Sequence, residues 1–152
     1  MIRLGLAAVW LASGILKALD PPQTYLAVLA YQVLSPTVCS VVAAGLPILE
    51  IGLGVLLLAG LATRTAAVLS VALLLVFLAG VGQAWARGLA IDCGCFGGGG
   101  AVAADRTRYG QEVLRDLGFL VLAAWLVVRP VTRGSLDALL FTRTTPSEED
   151  RP

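Results

Sequence analysis

From Ala66 to Ala86 the chain runs without a charged residue, and from Val38 to Leu61 it carries only one, Glu50. A helix of about 20 apolar residues spans the hydrocarbon of a bilayer, where every backbone polar group must be satisfied inside its own segment. The composition agrees: 58% of residues are hydrophobic, 14% are charged and the mean hydropathy is +0.87. A soluble domain carries about 25% charged residues, so this chain lacks the polar surface to face water. The expected fold class is an all-α membrane protein, a four-transmembrane-helix bundle in the lipid bilayer. The expected spans are residues 4–19, 38–61, 66–86 and 109–128, within one domain over 1–130.

The first run, Leu4 to Leu19, is followed by Lys17 near its end and Asp20-Pro21-Pro22, with no small-residue cleavage site before them. It therefore reads as a retained span rather than a signal peptide, ended by the two prolines. Residues 24–34 mix Tyr25, Tyr31 and Gln32 with aliphatics. They are too short to span, and tyrosine prefers the headgroup region, which predicts a short interfacial helix after the first span. Ala62-Thr63-Arg64-Thr65 reads as a tight turn. Residues 131–152 form a polar tail ending in Glu148-Glu149-Asp150, expected to be cytoplasmic and partly disordered, with a short interfacial helix around Leu136–Phe141.

Four spans put both termini on one side, with Arg3, Arg64, Arg129, Arg133 and Arg143. Arg87, Arg106 and Arg108 lie on the other, with Lys17 and Arg115 near that face. The positive-inside rule places the termini in the cytoplasm of a cell-membrane protein and the 87–108 loop outside. That loop holds Ile91-Asp92-Cys93-Gly94-Cys95-Phe96-Gly97 and three more glycines. A disulfide needs Cα atoms within roughly 4.4–6.8 Å, near or beyond which an extended i, i+2 pair falls. Gly94 permits the bend, and strained, exposed disulfides are the labile, catalytic ones. An extracytoplasmic loop is also where thiol oxidation persists. Cys93 and Cys95 thus read as a cycling dithiol/disulfide, against the alternatives of apolar filler or a fixed staple.

Glu50 lies mid-span, where a charge costs at least a few kcal/mol unless paired, protonated or hydrated. Lys17, Glu50, Arg115 and Asp116 sum to zero and form an expected intramembrane polar cluster below the cysteine loop. The plainer alternative has Lys17 snorkelling and Arg115-Asp116 facing headgroups. Pro47, Glu50 and Gly54 share one helix face, and Pro47 frees the carbonyl of Ala43.

Ser13-Gly14 with Lys17, Leu46-Pro47-Ile48-Leu49-Glu50 with Gly54, Asp92-Cys93-Gly94-Cys95-Phe96-Gly97, and Arg115-Asp116 together resemble the MauE/DoxX family of small redox-associated membrane proteins. The resemblance covers most of residues 1–128. It implies four helices, Cys93 and Cys95 as the redox pair, Lys17 and Glu50 as intramembrane charges, and a thioredoxin-like partner in protein maturation. Cys39, at the start of the second span, falls outside those motifs. It joins the site as a thiol that could pass a disulfide inward, or else is apolar filler.

The functional expectation is a thiol–disulfide relay with an extracytoplasmic thioredoxin-like partner. A quinone is the natural lipid-soluble carrier, with Arg87, Arg115 or Lys17 polarising a carbonyl. The competing readings are a non-catalytic anchor or assembly subunit of an oxidoreductase and a small transporter built on Lys17 and Glu50. The chain has no histidine, which excludes a His base and His-ligated metal. A three-thiolate Cu(I) site of Cys39, Cys93 and Cys95 ranks below the redox reading, so no metal is assigned. The net charge of +1 gives no argument for nucleic acid. The orientation makes a direct prediction: after reduction, a membrane-impermeant thiol reagent labels Cys93 and Cys95 in intact cells. Labelling that needs lysis would reverse the topology.

Overall fold

A computed structural model of the protein describes residues 1–94, 98–103 and 107–129. Cys95 and the polar tail, with the helix expected around residues 136–141, lie outside the described residues. Within them the chain forms α1 (Ile2–Leu19), α2 (Pro21–Ala30), α3 (Pro36–Ala59), α4 (Thr63–Ala86), strands β1 (Ile91–Asp92) and β2 (Gly100–Ala101), and α5 (Tyr109–Val128). Three helices, α1, α3 and α4, are long and apolar enough to cross a membrane. The 20-residue α5 carries Glu112, Arg115 and Asp116 in its first two turns.

The helix ends depart from expectation where prolines and polar residues can serve a first turn. Pro36 opens α3 and Pro21-Pro22 open α2, because the first helical turn has no use for the missing N–H. The two prolines that close α1 therefore also start the next helix. Asp20 Oδ1 caps α2 by accepting the Gln23 N–H at 3.1 Å, and Thr24 Oγ1 donates to the Lys17 and Asp20 carbonyls, each at 3.0 Å. The joint between α1 and α2 is thereby held by side chains on both sides. The turn before α4 is shorter than expected: Thr63, Arg64 and Thr65 are already helical. The 87–108 loop contains an antiparallel pairing, Ile91 with Ala101 and Asp92 with Gly100, that hydropathy gave no sign of.

The packing has two principal pairs, α1 on α3 and α5 on α4. α1 and α3 run antiparallel and approach closely at Gly14. A Cβ there would meet Ile51 Cγ1 at 2.8 Å and the backbone atoms Ile51 N and Pro47 O at 3.0 Å. Small residues permit such backbone approach in lipid, where tight packing replaces the hydrophobic effect. One apolar core gathers Leu6, Trp10, Leu53, Leu57, Leu74 and Leu126 at the end of the bundle nearer the N-terminus. Trp10 Nε1 donates to Ser70 Oγ at 2.9 Å, so this core's indole is satisfied. A second, smaller core of Val81, Ala84, Ile91, Cys93 and Tyr109 lies at the opposite end, where the cysteine loop folds back.

Large apolar side chains also point outward along every long helix, among them Ile15, Ile48, Val55, Val76, Leu114, Val121 and Val128. Water would penalise that surface at about 25 cal/mol per Å², whereas acyl chains do not. The chain is a multi-pass membrane protein. Gly14→Ala should lower stability by about 1–3 kcal/mol, because the added methyl meets backbone that cannot yield. Gly5→Ala, with open space around it, should be neutral or slightly stabilising. Unfolding in mixed micelles compares the two; equal stability would remove the close approach as a determinant.

Candidate functional site

The α1–α3 approach at Gly14 brings Lys17, one turn later, against Glu50. The Lys17 Nζ donates to Glu50 Oε1 at 2.8 Å and Oε2 at 3.0 Å. It also donates to Ser13 Oγ at 2.6 Å, and Ser13 Oγ donates onward to Glu50 Oε2 at 3.1 Å. The Phe77 ring of α4 lies 5.7 Å from the ammonium, within cation–π range. Glu50 is fully buried and Lys17 nearly so. Pairing and extra hydrogen bonds are what make two charges tolerable in hydrocarbon. The snorkelling alternative for Lys17 does not describe this geometry.

The second polar group is built on the loop and α5. Cys93 follows β1 and is buried against Tyr109 and Val81. Arg115 Nη2 lies 3.5 Å from the Cys93 sulfur, and Arg115 Nε donates to Asp116 Oδ1 at 3.1 Å. Glu112 Oε1 accepts the Cys93 N–H at 3.4 Å. Tyr109 Oη donates to the Leu89 carbonyl and accepts the Ile91 N–H, which pins the start of α5 beneath β1. The four expected intramembrane charges form two ion pairs, Lys17–Glu50 between α1 and α3 and Arg115–Asp116 within α5.

Loop glycines seat the motif on α2. Gly99 has φ +94°, and a Cβ there would meet Gly94 Cα at 2.6 Å and Ala27 Cβ at 2.7 Å. Gln23 Nε2 donates to the Gly99 carbonyl at 2.6 Å, and Tyr31 Oη donates to the Cys93 carbonyl at 3.4 Å. α2 is therefore the platform for the cysteine loop, a role its sequence did not advertise.

Between α2, α3, α4 and this loop lies a cavity of about 610 Å³. Cys93, Gly94, Lys17 and Phe77 are among the residues that line it. Most of the remaining wall is aliphatic, including Val28, Val42, Leu46 and Leu73, with Gln83 and Tyr31 as polar exceptions. Its size falls in the range of small-molecule sites, apolar with a few polar groups. Of the three cations expected to meet a carrier, Lys17 lines the cavity. Arg115 sits behind Cys93, and Arg87 is spent on the Gln32 carbonyl at 3.3 Å and Gln83 Oε1 at 3.1 Å.

A family model described as methylamine utilisation protein MauE matches residues 1–129. The chain belongs to the MauE family. No curated protein and no solved structure matches it. In this MauE-family chain Cys39 is a buried free thiol whose sulfur faces the Leu34 carbonyl at 3.6 Å, and Cys93 is likewise a free thiol. One donor atom each from Asp92, Cys93 and Glu112 lie within 4.8 Å of one another. Such a trio could ligate a cation, but the Arg115 guanidinium on the same sulfur opposes one and favours a thiolate.

Glu112 is the functional candidate that sequence reasoning missed. Its spacing of three residues before Arg115 and four before Asp116 was the available signal, since those positions share a helix face. Glu50→Ala should cost about 3–5 kcal/mol by stranding the Lys17 charge. The double change Lys17→Met with Glu50→Leu should recover most of it. Folded yield and micelle unfolding measure both; a harmless Glu50→Ala would sink the buried-pair account.

Proposed function

We propose that this MauE-family protein is a membrane thiol–disulfide redox protein. Its Cys93–Cys95 pair exchanges with a thioredoxin-like partner outside the cytoplasm, in maturation of another protein, as the methylamine utilisation name of the family suggests. In this reading α5 is the fourth span. Its outward row of Leu114, Leu117, Val121 and Val128 supports that, with the charges turned inward. α2 lies at the outer interface under the loop, and both termini are cytoplasmic.

The observation that carries the proposal is the apolar cavity that has Cys93 among its lining residues. A cysteine in the lining of an apolar chamber suits exchange with a membrane quinone. The reduced pair would lose two electrons and two protons as its S–S bond forms. A quinone held by the aliphatic wall would supply the acceptor for both; the donors of the Lys17 ammonium are already taken by Glu50 and Ser13. Arg115, beside the sulfur, would favour the thiolate, which is the reactive form. Cys39 is left as a reserve thiol at the edge of this arrangement.

Cys93→Ser or Cys95→Ser should trap a mixed disulfide in cells with a thioredoxin-like protein, identified after non-reducing separation. Val42→Trp, which fills the cavity, should abolish oxidation of the reduced pair by a short-chain ubiquinone while leaving the mixed disulfide intact. Unchanged function after loss of both loop cysteines would instead favour the anchoring role.

A further inference from the structure

Glu112 belongs to neither ion pair. It is 8% exposed, its Oε1 accepts the Cys93 backbone N–H, and its Oε2 is buried with no hydrogen-bond partner. An unmet buried acceptor is unusual in a folded protein and calls for a reason. A Glu112 carboxylate oxygen and the Cys93 sulfur lie within 4.8 Å of each other, and the guanidinium of Arg115 approaches that sulfur at 3.5 Å. We propose that Glu112 is the proton acceptor and donor for Cys93, holding the proton that the sulfur releases and returning it to the departing thiolate. The proposal rests on the thiol–disulfide reading above.

The chemistry selects Glu112 by comparison with its neighbours. The chain has no histidine, the usual base for a thiol. Arg115 cannot give up its proton at any working pH. Lys17 is engaged by Glu50, and Asp116 Oδ1 holds Arg115 Nε. Asp92 is exposed and its Oδ1 accepts the Gly94 N–H at 3.2 Å. Tyr31 and Tyr109 hydroxyls donate to the Cys93 and Leu89 carbonyls. Asp116 Oδ2 is also buried without a partner, but Glu112 is the buried carboxylate of this set with an oxygen within 4.8 Å of the sulfur.

Charge gives the second reason. Asp92, Glu112 and Asp116 already outnumber Arg115, so a thiolate formed by losing its proton to bulk would add a negative charge to a buried site. Moving the proton from sulfur to Glu112 leaves the charge of the site unchanged. In the exchange, the Cys93 S–H bond breaks and an O–H bond forms on Glu112. The thiolate attacks one sulfur of the partner disulfide, a new S–S bond forms and the partner's S–S bond breaks. The departing thiolate takes the proton back from Glu112. Cys95 then displaces the partner from Cys93, its own proton leaving with the second partner sulfur. Two thiols have become a disulfide, and the partner disulfide has become two thiols. The relay to a quinone runs these steps in reverse, the partner dithiol reducing the Cys93–Cys95 disulfide while Glu112 takes the proton of the attacking partner thiol and gives it to the Cys93 thiolate as it departs.

The test uses the full-length protein in micelles, with Cys39→Ser and Cys95→Ser so that Cys93 is the sole thiol. Glu112→Gln keeps the shape and the acceptor for the Cys93 N–H. Two probes separate proton return from the reactivity of the sulfur. Bis(2-hydroxyethyl) disulfide releases a basic thiolate that needs a proton, whereas 4,4′-dithiodipyridine releases a stabilised thiopyridone. Glu112→Gln should slow both reactions, because both need the thiolate, and should slow the first at least tenfold more than the second, whose leaving group needs no proton returned. Equal slowing of both, or of neither, overturns the proposal.

Alkylation by iodoacetamide across pH gives a measurement that does not require the variant. A sulfur and a carboxylate sharing one proton titrate as a pair in two steps, and Glu112→Gln should reduce them to one. A single step in the unsubstituted site overturns the proposal even if Glu112→Gln fails to fold. A Cys93 that alkylates but reacts with no disulfide overturns the exchange reading instead, and the number of titration steps still decides the role of Glu112.

Discussion

The ion pair between Lys17 and Glu50 organises the membrane domain. Neither charge is tolerable alone in hydrocarbon, so α1 and α3 must meet at one register, with Gly14 thin enough to let them close. Ser13 supplies the third hydrogen-bonding group, and the carboxylate is satisfied from two sides. Pro47, in the same stretch of α3, places its carbonyl oxygen against Gly14. The polar content of the bundle is thereby concentrated where it also fixes the packing.

From that register the remaining architecture follows. α1 ends two residues beyond Lys17, at Leu19, and the Asp20-Pro21-Pro22 joint turns the chain into α2. α2 offers Ala27, Gln23 and Tyr31 to the cysteine loop. The loop in turn is tied to α5 through Tyr109 and Glu112. The cavity is the space left between α3, α4 and this platform, so its wall is mostly aliphatic, with Lys17 and Cys93 among the lining residues. A chemistry that joins an aqueous thiol partner to a membrane-soluble carrier needs a chamber of this kind.

The polar groups around Cys93 differ in kind from the Lys17 pair. Lys17 and Glu50 satisfy one another nearly completely, which suits a structural role. Around Cys93 the carboxylates outnumber the single guanidinium, and two carboxylate oxygens, on Glu112 and Asp116, are buried without partners. Incompletely satisfied buried polar groups cluster where a protein does chemistry. The contrast between a closed pair and an open cluster separates the part of this molecule that holds it together from the part that can exchange protons.

The sequence by itself determined the membrane class, the long helices to within a few residues, and the importance of Glu50. Each follows from local physics: apolar length, turn residues and the expense of a lone charge in lipid. The pairing of Glu50 with Lys17 rather than Arg115, the seating of the loop on α2, the β1–β2 pairing and the recruitment of Glu112 were decided only by the tertiary structure. They depend on contacts between residues far apart in the chain, and periodicity within one helix carries no information about which neighbour its polar face will meet.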